Sequence, residues 1–310
     1  AGNYAPVFAP YFTDKHDTPW GSAINLDDEH SDGVRDFICE NAIRWLREFH
    51  IDALRLDAVH ALVDEALQHI LAELSERVDA IRPSLPRPVA LIAESDLNQP
   101  SMVEPRSAGG MGMDAQWADD VHHALHAYLT DETFGYYVDF GPASVLRQAL
   151  EDVFVHNGSY STFRERNWGA PVPKTLDRRR FVVFTQNHDQ VGNRGLGDRP
   201  DVKLPAGAVA GGAALLLLSP FTPLLFQGQE WGTRRPFLFF TDHEPELGAA
   251  VTEGRLAEFQ SHDWEAIYGP DPAIPDPQAL STFENSKLDW WELDDPPNAR
   301  MLAWYRRLIE

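Results

Sequence analysis

An α/β architecture with a parallel sheet, wound either as a (β/α)8 TIM barrel or as a doubly wound sheet, is predicted by three features of this 310-residue sequence. Amphipathic helices alternate with short apolar runs. The connections between the runs are long enough for helical crossovers, as parallel strands require. The polar residues best suited to chemistry fall where each run ends, and barrels build their sites at strand ends.

The elements follow in order. Val34, Phe37, Ile38, Ala42, Trp45, Leu46 and Phe49 recur at helical spacing with charges between them. Ile51 to Asp57 reads as a strand, and a long helix is predicted from about Val63 to Ile81. Pro83, Pro86 and Pro88 close that helix before a second strand, Val89 to Ala93, which delivers Glu94. Leu146 to Phe154 is helical, and Arg180 to Thr185 is a third strand that runs into Asn187-His188-Asp189. Pro205 to Gln229 carries no charge over 25 residues. Gly211-Gly212, Pro220 and Pro223 interrupt it, so it reads as a buried helix (Ala206 to Leu218) and a short strand (Pro223 to Phe226), not as a membrane span. Met301 to Ile309 is helical. Asp242 to Asp295, rich in Pro, Asp and Glu, reads as a surface excursion within one domain of residues 1–310.

Composition narrows the function. Twenty-six basic against 48 acidic residues leave a net charge of −22, which excludes a nucleic-acid partner and an anionic membrane surface as leading ideas. A neutral substrate fits. The 43% hydrophobic and 24% charged content is that of an ordinary globular protein. Cys39 is the lone cysteine, which is compatible with a reducing cytoplasm, and no signal peptide is visible at Ala1-Gly2-Asn3-Tyr4.

Three strand ends carry the chemistry. Side chains alternate along a strand, so Arg55 and Asp57 share one face while Leu54 and Leu56 share the other. An adjacent guanidinium keeps Asp57 ionised, which suits either a structural ion pair or a carboxylate nucleophile. Glu94 closes an apolar run, where it either caps the next turn or acts as a general acid. Thr185-Gln186-Asn187-His188-Asp189-Gln190 places six polar side chains directly after a strand, with donors and acceptors suited to sugar hydroxyls. Together the three carboxylates suggest a glycosidase. His122 and His126 lie one helical turn apart but lack the Glu of a His-Glu-x-x-His zinc motif, because position 123 is His. Trp20, Trp117, Trp231, Trp290 and Trp291 either stack on sugar rings or simply pack.

These segments resemble the alpha-amylase superfamily, glycoside hydrolase family thirteen. Ala53 to His60 is similar to its second signature region, Leu91 to Glu94 to the third, and Thr185 to Asp189 to the fourth. A finer likeness, to a trehalose-releasing branch of that family, is carried by Thr18 to Asn25, Gln186 to Arg194, Pro236 to His243 and Ser286 to Trp290. Branching enzymes usually differ after the His-Asp pair. The resemblance implies that Asp57 is the nucleophile, Glu94 the acid/base and Asp189 the transition-state stabiliser. It further implies that Arg55 orients Asp57, that His188 binds the same sugar, and that His60 lies on the leaving-group side. Trp20, Asn187 and Gln190 are added as substrate contacts. The implied reaction is hydrolysis of the α-1,4 bond next to a terminal trehalose unit of an α-glucan, with no cofactor and no metal. The alternatives are another α-glucan enzyme or a non-catalytic glucan-binding remnant. The family's first signature region, an Asp and a His after the third barrel strand, has no counterpart here. The expectation is therefore a partial alpha-amylase-type barrel running from about strand four to the last helix, without its first strands and C-terminal β domain, completed by the rest of a longer chain.

Overall fold

In a computed structural model, which describes residues 4–18, 21–259, 264, 267–269 and 272–310, the apolar runs form the strands and the periodic segments the helices. The chain divides into two units, one of Gly2–Asp119 with Asp152–Val182, the other of Asp120–Glu151 with Val183–Glu310.

The first unit holds α1 (Ala5–Phe8), the antiparallel pair β1 (Phe12–Thr18) and β2 (Gly21–Ile24), α2 (Ser31–Arg47), β3 (Ala53–Leu56), α3 (Ile70–Ile81), β4 (Ala90–Ala93) and β5 (Ala115–Trp117). A two-residue antiparallel pair follows, β6 (Tyr160–Ser161) and β7 (Arg166–Asn167), and then β8 (Phe181–Val183). Strands β3, β4, β5 and β8 are parallel neighbours in that order, with Leu56 opposite Ala93, Ile92 opposite Ala115 and Trp117 opposite Val182. Leu91, Ala93, Phe181 and Val183 are fully buried, as expected of strands covered on both faces.

The helix expected over residues 63–81 begins only at Ile70. Asp64 accounts for the difference. Its carboxylate accepts from the Ala66 and Ile70 N–H groups at 3.0 and 2.6 Å and from Arg35 at 2.7 Å. Such local side-chain bonds compete with helical ones. His69 then caps the helix, with Nδ1 accepting from Leu71 N–H and Nε2 donating to the Leu62 carbonyl. Burial lowers the His69 pKa, in keeping with that neutral tautomer. β5 is a strand the periodicity did not single out, being three residues long.

The second unit holds α4 (Asp119–Thr130), α5 (Ala143–Asp152), α6 (His188–Gly192), α7 (Pro200–Lys203), α8 (Ala206–Leu217), β9 (Thr222–Pro223), α9 (Pro245–Glu258), α10 (Leu280–Asn285) and α11 (Pro296–Ile309). The carbonyl of Val183 accepts from Leu224 N–H at 2.8 Å. α8 buries Val209, Gly212, Ala213 and Leu216, one helical face, but leaves Leu215 and Leu218 exposed. Gly212 is where α4 comes close, since a Cβ there would lie 2.9 Å from Leu129. Among the described residues no helix is long and apolar enough to cross a membrane.

Candidate active site

The first unit brings two of the three carboxylates together. Strand alternation places Arg55 and Asp57 on one face of β3, and Arg55 Nη1 donates to Asp57 Oδ1 at 2.7 Å. The same guanidinium reaches Glu94, at the end of β4, with Nη2 3.7 Å from Oε2. Its Cζ lies 4.3 Å from the ring centre of Trp117 at the end of β5, so three adjoining strand ends meet on one side chain. Asp57 is 76% exposed and Glu94 16%, an asymmetry that leaves the first open to a ligand and the second sheltered.

The turn after Asp57 is strained. Ala58 has φ +45°, a left-handed conformation that costs an L-residue roughly 1–2 kcal/mol. That turn aims the Ala58 N–H at Glu94 Oε2, 2.5 Å away. The Glu94 backbone is fixed on both sides, its N–H donating to Leu56 O and its carbonyl accepting from Val59 N–H. The run leading to Glu94 is apolar. The side chain instead meets a backbone donor and a guanidinium.

His60 faces Asp96, with Nδ1 3.8 Å from Oδ1. Asp96 also accepts from Arg164 at 3.1 Å through its carboxylate and from Trp168 Nε1 at 2.7 Å through its carbonyl. Arg164 and Arg166 sit over the Trp168 ring at 4.7 and 4.6 Å, framing the β6–β7 turn. The sequence reading did not single out this turn. Its only local signal is the aromatic and arginine interleaving of Phe163 to Trp168.

The second unit carries the fourth-region residues on α6. Asn187 is buried and caps the helix, its Oδ1 accepting from Gln190 N–H at 2.8 Å. His188 and Asp189 are each 47% exposed, with His188 Nε2 3.3 Å from Asp189 Oδ2. Gln190 turns its carbonyl oxygen to Tyr136 and Tyr137, both 3.1 Å away. Behind α6, Arg194 forms a two-pronged pair with Glu132 at 2.9 and 3.0 Å, and His126 Nε2 meets Glu132 at 2.8 Å. Burial opposes the Glu132 charge, but the bonds from His126 and Arg194 outweigh it and hold the carboxyl down at about 2.

The remaining residues separate clearly. Trp20 lies outside the described residues. Trp231 is buried, whereas Trp290 and Trp291 are exposed. His122 is buried against Tyr137, with Nε2 3.1 Å from its hydroxyl. Among the described residues, His16, Asp27 and Glu65 group three possible ligand atoms. The Lys15 ammonium lies 3.0 Å from Asp27 and 3.3 Å from Glu65.

No family model matches the chain. The class is nevertheless plain: the fold is that of part of an alpha-amylase-type barrel. The 1.4 Å crystal structure of a provisionally assigned alpha amylase from Salmonella typhimurium superposes with a TM-score of 0.88 at 39% identity, over 99% of this chain and 51% of that one. A GBS pullulanase solved in complex with maltotetraose shares the fold at 16% identity and a TM-score of 0.55, over 95% of this chain and 36% of that one. In sequence the chain is similar along 100% of its length to malto-oligosyltrehalose trehalohydrolase, at 51% identity to that of Arthrobacter ramosus and 44% to that of Saccharolobus solfataricus. It spans about half the length of these curated relatives, 53% and 51% respectively.

Proposed function

We propose that the protein carrying this chain hydrolyses the α-1,4-glucosidic bond next to the terminal trehalose of maltooligosyltrehalose and releases trehalose. The observation that carries the reading is one guanidinium, that of Arg55, reaching both Asp57 and Glu94 at the ends of adjoining parallel strands. Retaining glycosidases use two carboxyl groups about 5–5.5 Å apart across the scissile bond. A side chain touching both is one way to set such a pair.

On this reading Asp57 attacks the anomeric carbon while Glu94 gives its proton to the departing glycosidic oxygen, so trehalose leaves as the neutral sugar. Glu94, now a carboxylate, takes a proton from water. The resulting hydroxide displaces Asp57 from the anomeric carbon, and one water is consumed in total. Asp189 and His188 hold hydroxyls of the distorted ring, and His60 stands on the leaving-group side. The remaining barrel segments are supplied by the rest of a longer chain. The acidic surface is indifferent to a neutral glucan. The buried Cys39, whose thiol is pushed up to about 11 by burial, stays reduced in a cytoplasmic setting.

Trehalose release from maltotriosyltrehalose, measured beside maltopentaose and with Asp57→Asn as control, tests this. Trehalose from the first substrate alone, lost in the variant, is expected. Equal cleavage of maltopentaose would turn the reading toward a general α-glucan hydrolase. Binding of both without turnover, in the full-length protein, would leave a glucan-binding module.

A further inference from the structure

We propose that Tyr137, acting through Gln190, is a positioning residue that fixes the α6 turn on which Asp189 is presented. This deepens the glycosidase reading and rests on it. The Gln190 side-chain oxygen is an acceptor only, with two lone pairs. Both are filled by phenol protons, one from Tyr136 and one from Tyr137. The Tyr137 oxygen also lies 3.1 Å from His122 Nε2.

Tyr137 therefore links His122 to Gln190 and is set among stacked rings. Tyr137 lies 4.5 Å from His126 and His122 5.0 Å from Phe184. Burial keeps Tyr137 and His122 neutral, raising the Tyr137 pKa and lowering that of His122. A five-residue helix has little stability of its own, so its orientation comes from such ties. Gln190 is tied twice, through its N–H to Asn187 and through its oxygen to the two phenols. Arg255 closes the far end by donating to the carbonyls of Gly192 and Arg194 at 3.1 and 3.0 Å. Asp189 lies in the turn that the Asn187–Gln190 bond closes. Gln190 is thus turned to the protein, although the sequence placed it among the substrate contacts.

The test uses Tyr137→Phe and Gln190→Leu, which keep shape and remove the bond, together with Gln190→Glu, which keeps an acceptor for both phenols. All are made in the full-length protein, with Asp189→Asn beside them and a thermal melt for each. Misplacing a catalytic group by about 1 Å can cost on the order of a hundredfold in rate. Tyr137→Phe and Gln190→Leu are expected to lower kcat ten- to a hundredfold (~) with KM within about twofold, and Gln190→Glu to stay within about threefold of the parent. A loss confined to KM, or full kcat in both variants while Asp189→Asn is inactive, would overturn the positioning role and leave the glycosidase reading standing. Full activity of Asp189→Asn would overturn both. Should Tyr137→Phe fail to fold, Gln190→Leu, at a partly exposed position, decides.

Discussion

Arg55 and Glu94 lie at the ends of neighbouring strands with Nη2 3.7 Å from Oε2, while the same guanidinium holds Asp57 at 2.7 Å. The in-register pairing of β3 with β4 produces this. Leu56 stands opposite Ala93, so the residues that follow, Asp57 and Glu94, leave their strands at the same level. Trp117, one strand further, supplies the surface on which the guanidinium rests.

Arg55→Lys therefore tests shape against charge. Lysine keeps the cation but not the planar fork that reaches two carboxylates and stacks on an indole. A fall in kcat of roughly a hundredfold is expected, comparable to the loss of one preorganised donor. Steady-state trehalose release measures it, and a parent-like rate in Arg55→Lys would refute the assignment.

Glu132 makes stability depend on acid. Its carboxyl sits at about 2 in the fold against an ordinary value of 4.5. The stabilisation is complete above about pH 5 and is lost as pH falls toward 2. Glu132→Gln is expected to lower unfolding stability by about 2–3 kcal/mol at pH 7, with the difference shrinking toward nothing near pH 2. Urea midpoints at several pH values check this, and a pH-independent difference would contradict it.

Asp201 has the opposite sign. It faces a cavity of about 210 Å3 bounded in part by Trp231, Arg234 and Met301. Burial pushes its carboxyl up to about 6 from 3.8, only partly opposed by the Gln186 amide at 3.0 Å and by Arg199. Because the folded value is the higher one, stability is greatest below about pH 4, declines between pH 4 and 6, and is level above. Asp201→Asn should raise stability by about 2–3 kcal/mol at pH 7.5 and change it little at pH 4. An equal shift at both pH values would show that the charge is not the cause.

Gly169 is placed where only glycine fits. Its φ is +74°, and a Cβ would lie 2.0 Å from the His156 carbonyl oxygen and 2.8 Å from the Asn98 Cβ. The next residue, Ala170, donates to Asn98 O at 3.0 Å, so the backbone has little room to yield. Gly169→Ala is expected to cost more than about 3 kcal/mol and to loosen Trp168 from Asp96. A melt within 1–2 °C (about) of the parent would sink the idea.

Much of this was legible in the residues alone, because it rests on short-range periodicity. Two-residue alternation puts Arg55 and Asp57 on one face whatever surrounds them. An apolar run that ends in Glu94, or in Asn187-His188-Asp189, states where the strand stops and the chemistry starts. The onset of α3 was hidden because Asp64 and His69 act through bonds to the backbone and to Arg35, far off in sequence. Only the tertiary structure decided that Trp117 lies beneath Arg55, that Ala58 is twisted to point its N–H at Glu94, and that Gln190 faces Tyr136 and Tyr137 instead of outward. Each of those outcomes depends on which segment becomes a neighbour after folding. Hydrophobic period fixes which way a strand's side chains point, but the partner they meet is set by packing between residues tens of positions apart.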